Sequence, residues 1–275
     1  LPSQVGEIRL VASDLDGTLL APDKKLSALS IQTLQELHDT GKIFVYATGR
    51  HYLDVCEIGQ VTGKPAFMVT SNGAQVHATC GTVVSQTLLD GDLVTPLLEM
   101  SQEHEGVVVN IYTITHWWSS VETEWMREHK QEFNMAPQFF EGGPVPTSDV
   151  LKVFFNQTEG NYDILVELEE RIIERFGEQV HVCFSSPQCL EVMAKGVSKL
   201  FGLQQVAKAH DIELDECLAF GDGMNDVEML GGVGRGVLMG GAHERVRRTV
   251  PQAERIGVCS EDAVAKYIQA AVLKK

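Results

Sequence analysis

The sequence predicts an α/β fold: a parallel sheet assembled from both ends of the chain, with a second module inserted between them. Three observations carry this reading. The first 70 residues alternate apolar runs with helical periods, the same alternation returns after Cys189, and the stretch between them has a different texture. Alternation of strand and helix is the signature of a parallel sheet joined by right-handed crossovers.

Ile8-Arg9-Leu10-Val11-Ala12-Ser13 reads as the first buried strand. Ser27 then suits a helix N-cap, Leu34 and Leu37 fall on a helical period, and Gly41 suits the helix stop. Ile43–Ala47 reads as the second strand, about 51–62 as a helix, and 66–70 as the third strand. Gln75-Val76-His77-Ala78 and Thr82-Val83-Val84-Ser85 flank Cys80-Gly81 like a short hairpin. From about Gln86 come a helix over 93–104, a strand over 107–112, a helical stretch 122–133, a strand 150–155, a long amphipathic helix 162–176 and a strand 179–184. That grouping predicts an α+β module with a sheet covered on one face. From Cys189-Leu190-Glu191-Val192-Met193 the first pattern is expected to resume: helix 197–210, strand 217–221, helix 225–230, strand 236–239 and a terminal helix 262–273. The expected division is therefore 1–85 with 189–275 as one domain and 86–188 as the insertion.

Composition bounds the function. The formal net charge is −16, which argues against general nucleic-acid binding, because phosphate backbones are held by clustered Lys and Arg. The basic cluster Arg245-Val246-Arg247-Arg248 reads as a solvated helix face. No apolar stretch approaches the roughly 20 residues that span a bilayer, so no membrane partner is expected. Leu1-Pro2-Ser3-Gln4 carries neither a basic region nor an apolar signal core, and a cytoplasmic location and a monomer or weak homodimer are expected. Six scattered cysteines lack metal or redox spacing and are expected as reduced, non-catalytic thiols.

Chemistry concentrates where strands end. Asp14-Leu15-Asp16-Gly17-Thr18 and Asp222-Gly223-Met224-Asn225-Asp226 both follow buried runs, and Thr48-Gly49-Arg50 follows a third. In open α/β sheets ligands bind beyond the carboxyl ends of the strands, and clustered acids there need a cation or a proton. A calcium loop would need Gly at its sixth place, whereas Asp14-Leu15-Asp16-Gly17 has it at the fourth. A glycine-rich dinucleotide fingerprint is also missing after the first strand. Arg50 has two open readings, phosphate contact or pairing with one of the motif carboxylates. Asn72-Gly73 is a strong hairpin-turn dipeptide as well as a candidate substrate contact. His116-Trp117-Trp118 is the most conspicuous polar-aromatic cluster of the insertion. His116 or Trp117 is a candidate substrate-facing residue, although a Trp pair beside a strand more often packs.

As a set, Asp14-Leu15-Asp16-Gly17-Thr18, Thr48-Gly49-Arg50, Gly196-Val197-Ser198-Lys199 and Gly221-Asp222-Gly223-Met224-Asn225-Asp226 resemble the four signature motifs of the haloacid dehalogenase superfamily. Their order, Ser71-Asn72-Gly73-Ala74 and the insertion resemble its Cof-type phosphatases, with wording similar to the sugar-phosphate and pyridoxal-phosphate phosphatase branch. The resemblance implies a Rossmann-like core with a type IIB α+β cap, and Mg²⁺-dependent hydrolysis of small phosphomonoesters through an aspartyl-phosphate. It implies Asp14 as nucleophile and Asp16 as acid and base. Mg²⁺ would lie on Asp14, the Asp16 carbonyl and Asp222, with Asp226 acting through water or as support. Thr48, the Gly49 amide, Lys199, Asn225 and the Leu15 amide would hold the phosphoryl group. Leu200 departs from the Gly common after that Lys. A phosphomutase is the same-class alternative, and a catalytically idle regulatory or binding member of the fold is the other. A receiver domain would also use a phosphorylatable Asp with Mg²⁺, but needs no such insertion.

Overall fold

The computed structural model describes residues 7–130 and 134–274. The N-terminal tetrapeptide considered above, and the last three residues of the expected 122–133 helix, lie outside the described residues.

In chain order the elements are β1 (Leu10–Ser13), α1 (Ala28–Asp39), β2 (Ile43–Ala47), α2 (Tyr52–Val61), β3 (Phe67–Thr70), β4 (Gln75–His77) and β5 (Val83–Gln86). Next come α3 (Val94–Ser101), β6 (Val107–Thr113), β7 (Trp117–Ser119), α4 (Glu124–Glu128), β8 (Gln138–Phe139), β9 (Val150–Gln157), α5 (Tyr162–Phe176), β10 (Val180–Ser186) and β11 (Cys189–Ala194). The chain closes with α6 (Lys199–Ala209), β12 (Cys217–Gly221), α7 (Val227–Gly232), β13 (Arg235–Leu238), α8 (Glu244–Thr249), β14 (Glu254–Arg255) and α9 (Ala263–Ala271).

The chain divides into two compact units. The first comprises residues 1–50, 55–85 and 198–275. Its sheet runs β14-β13-β12-β1-β2-β3-β4-β5, parallel from β14 through β3 and antiparallel from β3 to β4. Strand side chains alternate between faces. Leu10, Ala12, Val45 and Ala47 join Leu203, Val206, Met229 and Leu230 of α6 and α7 in one buried cluster, while α1 packs against β2 and α9. Ser27 caps α1 as expected, its hydroxyl accepting from the Ser30 amide at 3.0 Å. Because β1 has β12 on one side and β2 on the other, the strand order reverses at β1. The crevice beyond its C-terminal end is where such sheets bind ligands.

The second unit comprises 51–54 and 86–197, with a sheet of order β10-β11-β9-β6-β7-β8. Helices α3 and α5 pack on each other and against strands of this sheet. Two boundaries differ from the expected division. Cys189–Ala194 does not resume the parallel sheet. It forms β11, antiparallel to both β10 and β9, so its apolar alternation fills the insertion's core. Residues 51–54 also belong here. His51 is fully buried; the Leu53 amide donates to its Nδ1 at 3.1 Å, and its Nε2 meets the Thr113 carbonyl at 2.9 Å. Burial pulls its pKa down. A third difference is that Trp117–Ser119, read as lying beside a strand, is itself β7, paired with β6.

The insertion carries a buried ion pair. Lys152 on β9 donates to Glu191 on β11 at 2.7 Å, with both side chains almost wholly buried. The Lys152 Nζ lies 4.9 Å from the centroid of the Tyr112 ring and 4.7 Å from that of Phe154, and Ser185 also donates to Glu191. Removing one partner strands the other charge in an apolar layer. Glu191→Ala is expected to lower stability by roughly 3–5 kcal/mol, whereas Lys152→Met combined with Glu191→Met recovers most of that loss. Urea unfolding of the three proteins measures the difference.

Candidate active site

Each strand that ends at the reversal point delivers part of one polar cluster. Asp14 follows β1, with its amide held by the Phe220 carbonyl at 3.0 Å. Lys199 opens α6 directly after the cap residue Ser198, whose hydroxyl accepts from the Phe201 amide. A lysine at a helix N-terminus works against the helix dipole. It is held there by two carboxylates: Nζ reaches Asp14 Oδ1 at 2.7 Å and Asp226 Oδ1 at 2.8 Å, with the side chain fully buried. Burial alone would lower its pKa, but these two acids reverse the effect and raise it.

Asp226 is completely engaged. Its second oxygen accepts from the amides of Asp222 and Gly223, both at 2.9 Å. Asp222 in turn accepts from the Thr18 hydroxyl at 2.7 Å. Gly17 makes this possible, since it has φ 77° and a Cβ there would collide with the Asp222 carboxylate. Carboxylate oxygens of Asp14, Asp222 and Asp226 lie within 4.8 Å of one another. Burial and then the crowding of like charges push the Asp222 carboxyl up to about 6. Burial likewise raises Asp14, against the opposing pull of Lys199.

The structure answers the Arg50 alternative. Its guanidinium forks onto Asp16, Nε to Oδ2 at 2.6 Å and Nη2 to Oδ1 at 2.7 Å, and Lys24 adds a third contact at 2.9 Å. Burial favours the neutral acid, but the hydrogen bonds from Arg50 and then Lys24 outweigh it and hold Asp16 below the usual carboxylate range. The Asp16 side chain is therefore engaged by two cations and is not among the clustered carboxylates. Thr48 is buried and accepts from the Arg50 amide at 3.1 Å, with Gly49 in the same loop. Leu15 is fully buried beside Asp14. Asn72 and Asn225 meet through their amides at 3.0 Å.

Two participants escaped the sequence reading. Thr18 lay inside the first motif without a role, and Lys24 sits in a loop whose left-handed backbone has no periodic signal. In the second unit, Trp117 is buried, with its indole donating to Asn110 at 2.9 Å and its ring edge-on to Tyr112. That is the packing alternative rather than a free stacking face. His116 is exposed, with its ring within 2.7 Å of the Thr115 hydroxyl. All six cysteines are free, and burial pushes the Cys189 thiol up to about 12. Among the described residues, no helix is long and apolar enough to cross a membrane.

The three clustered acids suit a hard divalent cation. They offer only oxygen donors, and burial first and then neighbouring carboxylates raise the pKa values of Asp14 and Asp222, so a cation would offset what the ionised cluster costs. With the geometry described, comparison with known proteins gives the class. The haloacid dehalogenase-like hydrolase family matches residues 11–268, and the chain belongs to it. Proteins named HMP-PP phosphatase from Serratia proteamaculans and Escherichia coli are each 34% identical to it, covering 95% and 94% of this chain and 94% of their own. A haloacid dehalogenase-like hydrolase from B. subtilis shares the fold with TM-score 0.83 at 22% identity, covering 96% of this chain and all of its own. A sugar phosphatase of subclass IIB does so with TM-score 0.79 at 22% identity, covering 95% and 98%.

A pH-dependent response to metal follows from the acid cluster. Asp222 binds its proton more tightly in the folded chain than in the unfolded one, so between pH about 4 and 6 its own contribution to the stability of the metal-free protein falls as pH rises. A cation on the ionised cluster offsets that repulsion. Adding Mg²⁺ is expected to raise Tm more at about pH 7.5 than at about pH 5, and Asp222→Asn is expected to shrink the difference to the part that Asp14 carries. Thermal unfolding with and without Mg²⁺ tests this. Equal shifts at both pH values would remove Asp222 from the ligand set.

Proposed function

We propose that the chain is a Mg²⁺-dependent phosphatase of small phosphorylated metabolites, sugar phosphates or pyridoxal phosphate, acting through an aspartyl-phosphate on Asp14. The observation that carries this reading is the Lys199-clamped acid cluster at the strand-order reversal. Three carboxylates converging on one buried ammonium at a ligand-binding crevice suit a cation and, beside it, an anionic substrate. The phosphatase names borne by relatives at 34% identity support the reaction class.

In the first half-reaction an Asp14 oxygen attacks phosphorus, and the bond to the leaving oxygen breaks. The proton of Asp16 goes to that oxygen. In the second, water attacks the phosphorus of the acyl phosphate, returns a proton to Asp16, and frees Asp14 and inorganic phosphate. Splitting one displacement into two lowers each barrier. Phosphoryl transfer needs mainly positioning and charge neutralisation, so Thr48, the Gly49 and Leu15 amides, Lys199 and Asn225 are assigned the non-bridging oxygens. Asp14, Asp222 and the Asp16 carbonyl would hold Mg²⁺, with Asp226 supporting them. The bound cation would screen the anionic nucleophile from the anionic substrate. The Arg50 and Lys24 contacts favour the ionised form of Asp16, the form that accepts the proton from water. Protonating Asp16 for the first half-reaction requires these contacts to loosen.

A panel of phosphorylated metabolites assayed for phosphate release with and without Mg²⁺ tests the class and ranks substrates. Asp14→Asn is expected to cut turnover by roughly 10³-fold or more while leaving thermal unfolding cooperative. Turnover like that of the parent chain in this variant would contradict the assignment.

A further inference from the structure

Thr70-Ser71-Asn72-Gly73 is the most strained segment near the site. Ser71, Asn72 and Gly73 have φ of 47°, 55° and 98° in succession, a left-handed run that side chains other than Gly rarely adopt. It persists because its surroundings fix it. The Ser71 amide donates to the Arg50 carbonyl at 2.9 Å, and the Asn72 amide donates to the Thr48 carbonyl at 3.0 Å. At Gly73 a Cβ would collide with the Ser198 carbonyl, so the turn lies directly against the first turn of α6, which carries Lys199. The Asn72 side chain, almost fully buried, accepts from Asn225 Nδ2 at 3.0 Å.

Asn72 thus touches the loops after β2 and β12, and its neighbour Gly73 sits against the start of α6. These three segments supply Thr48, Asn225 and Lys199. An amide nitrogen has two protons, and the one given to Asn72 fixes the plane of the Asn225 amide, leaving the other for a phosphoryl oxygen. We propose that Asn72 is a positioning residue that orients the Asn225 amide and ties it to the Thr48 loop, setting the spacing of phosphate donors from separate strand ends. The proposal rests on the reading of Asn225 as a phosphoryl-oxygen donor. The Asn72-Gly73 turn is the hairpin connection between the antiparallel strands β3 and β4, as its sequence suggested, and the proposal adds positioning of Asn225 in place of direct substrate contact. The left-handed backbone aims the side chain at Asn225.

Asn72→Gly separates the side chain from the backbone. Glycine adopts φ near 55° with less strain than asparagine, so a purely conformational role predicts kinetics like those of the parent chain. The positioning role predicts about a tenfold or greater rise in KM for p-nitrophenyl phosphate and a matching weakening of inhibition by inorganic phosphate. Asn72→Ala also removes the acceptor without adding a charge and is expected to show the same loss of phosphate inhibition as Asn72→Gly, which keeps the question decidable should the glycine variant fold poorly. The double variant Asn72→Gly/Asn225→Ala is expected to be no worse than Asn225→Ala alone, because Asn72 acts through Asn225. Fully additive losses, or an unaffected Asn72→Gly beside an impaired Asn225→Ala, would overturn the positioning role and leave the reading of Asn225 standing. An unaffected Asn225→Ala would overturn both.

Discussion

The repulsion among Asp14, Asp222 and Asp226, partly relieved by Lys199, is the constraint around which the first unit is arranged. Three carboxylates within 4.8 Å at a buried sheet edge could not stand alone. The desolvation penalty and like-charge energy would drive protons onto them. The chain answers with a lysine placed at a helix N-terminus, where the dipole disfavours it, and with two backbone amides and a hydroxyl turned inward. The lysine departs from what would best stabilise a helix, whereas the Asp222 and Gly223 amides gain from Asp226 the capping that a helix start needs. A local violation like that of the lysine marks a place where the sequence serves chemistry rather than folding.

The sheet topology makes the arrangement possible. With β1 between β12 and β2, the loops that leave in opposite directions open a crevice at one edge, and residues from 14 to 226 converge there. Asp16 stands apart from the acid cluster. Arg50 and Lys24 hold it as a carboxylate with its own counter-ions, so Asp14 and Asp16 have different partners and different pKa directions.

Much of this was legible in sequence because the signals were local. Buried runs followed by Asp, the Ser27 cap and the 162–176 amphipathic period are properties of a few neighbouring residues, and helix α5 spans Tyr162–Phe176. Cys189–Ala194 misled because a buried strand has the same apolar texture in a parallel or an antiparallel sheet, and only its partners β9 and β10 tell them apart. His51 was invisible as a member of the second unit because its partner, the Thr113 carbonyl, lies 62 residues away. The Arg50 fork was one of two equal readings because a guanidinium suits phosphate and carboxylate alike. Only three-dimensional proximity to Asp16 decided between them.

In the proposed mechanism Asp14 attacks phosphorus before water does. Each in-line displacement inverts configuration at phosphorus, so two in succession restore it. The most direct measurement is the stereochemical course with a phosphomonoester made chiral by oxygen isotopes, transferring to an acceptor alcohol so that the product phosphorus stays chiral. Net retention is the result the Asp14 route predicts. Net inversion would show a single direct displacement and contradict it.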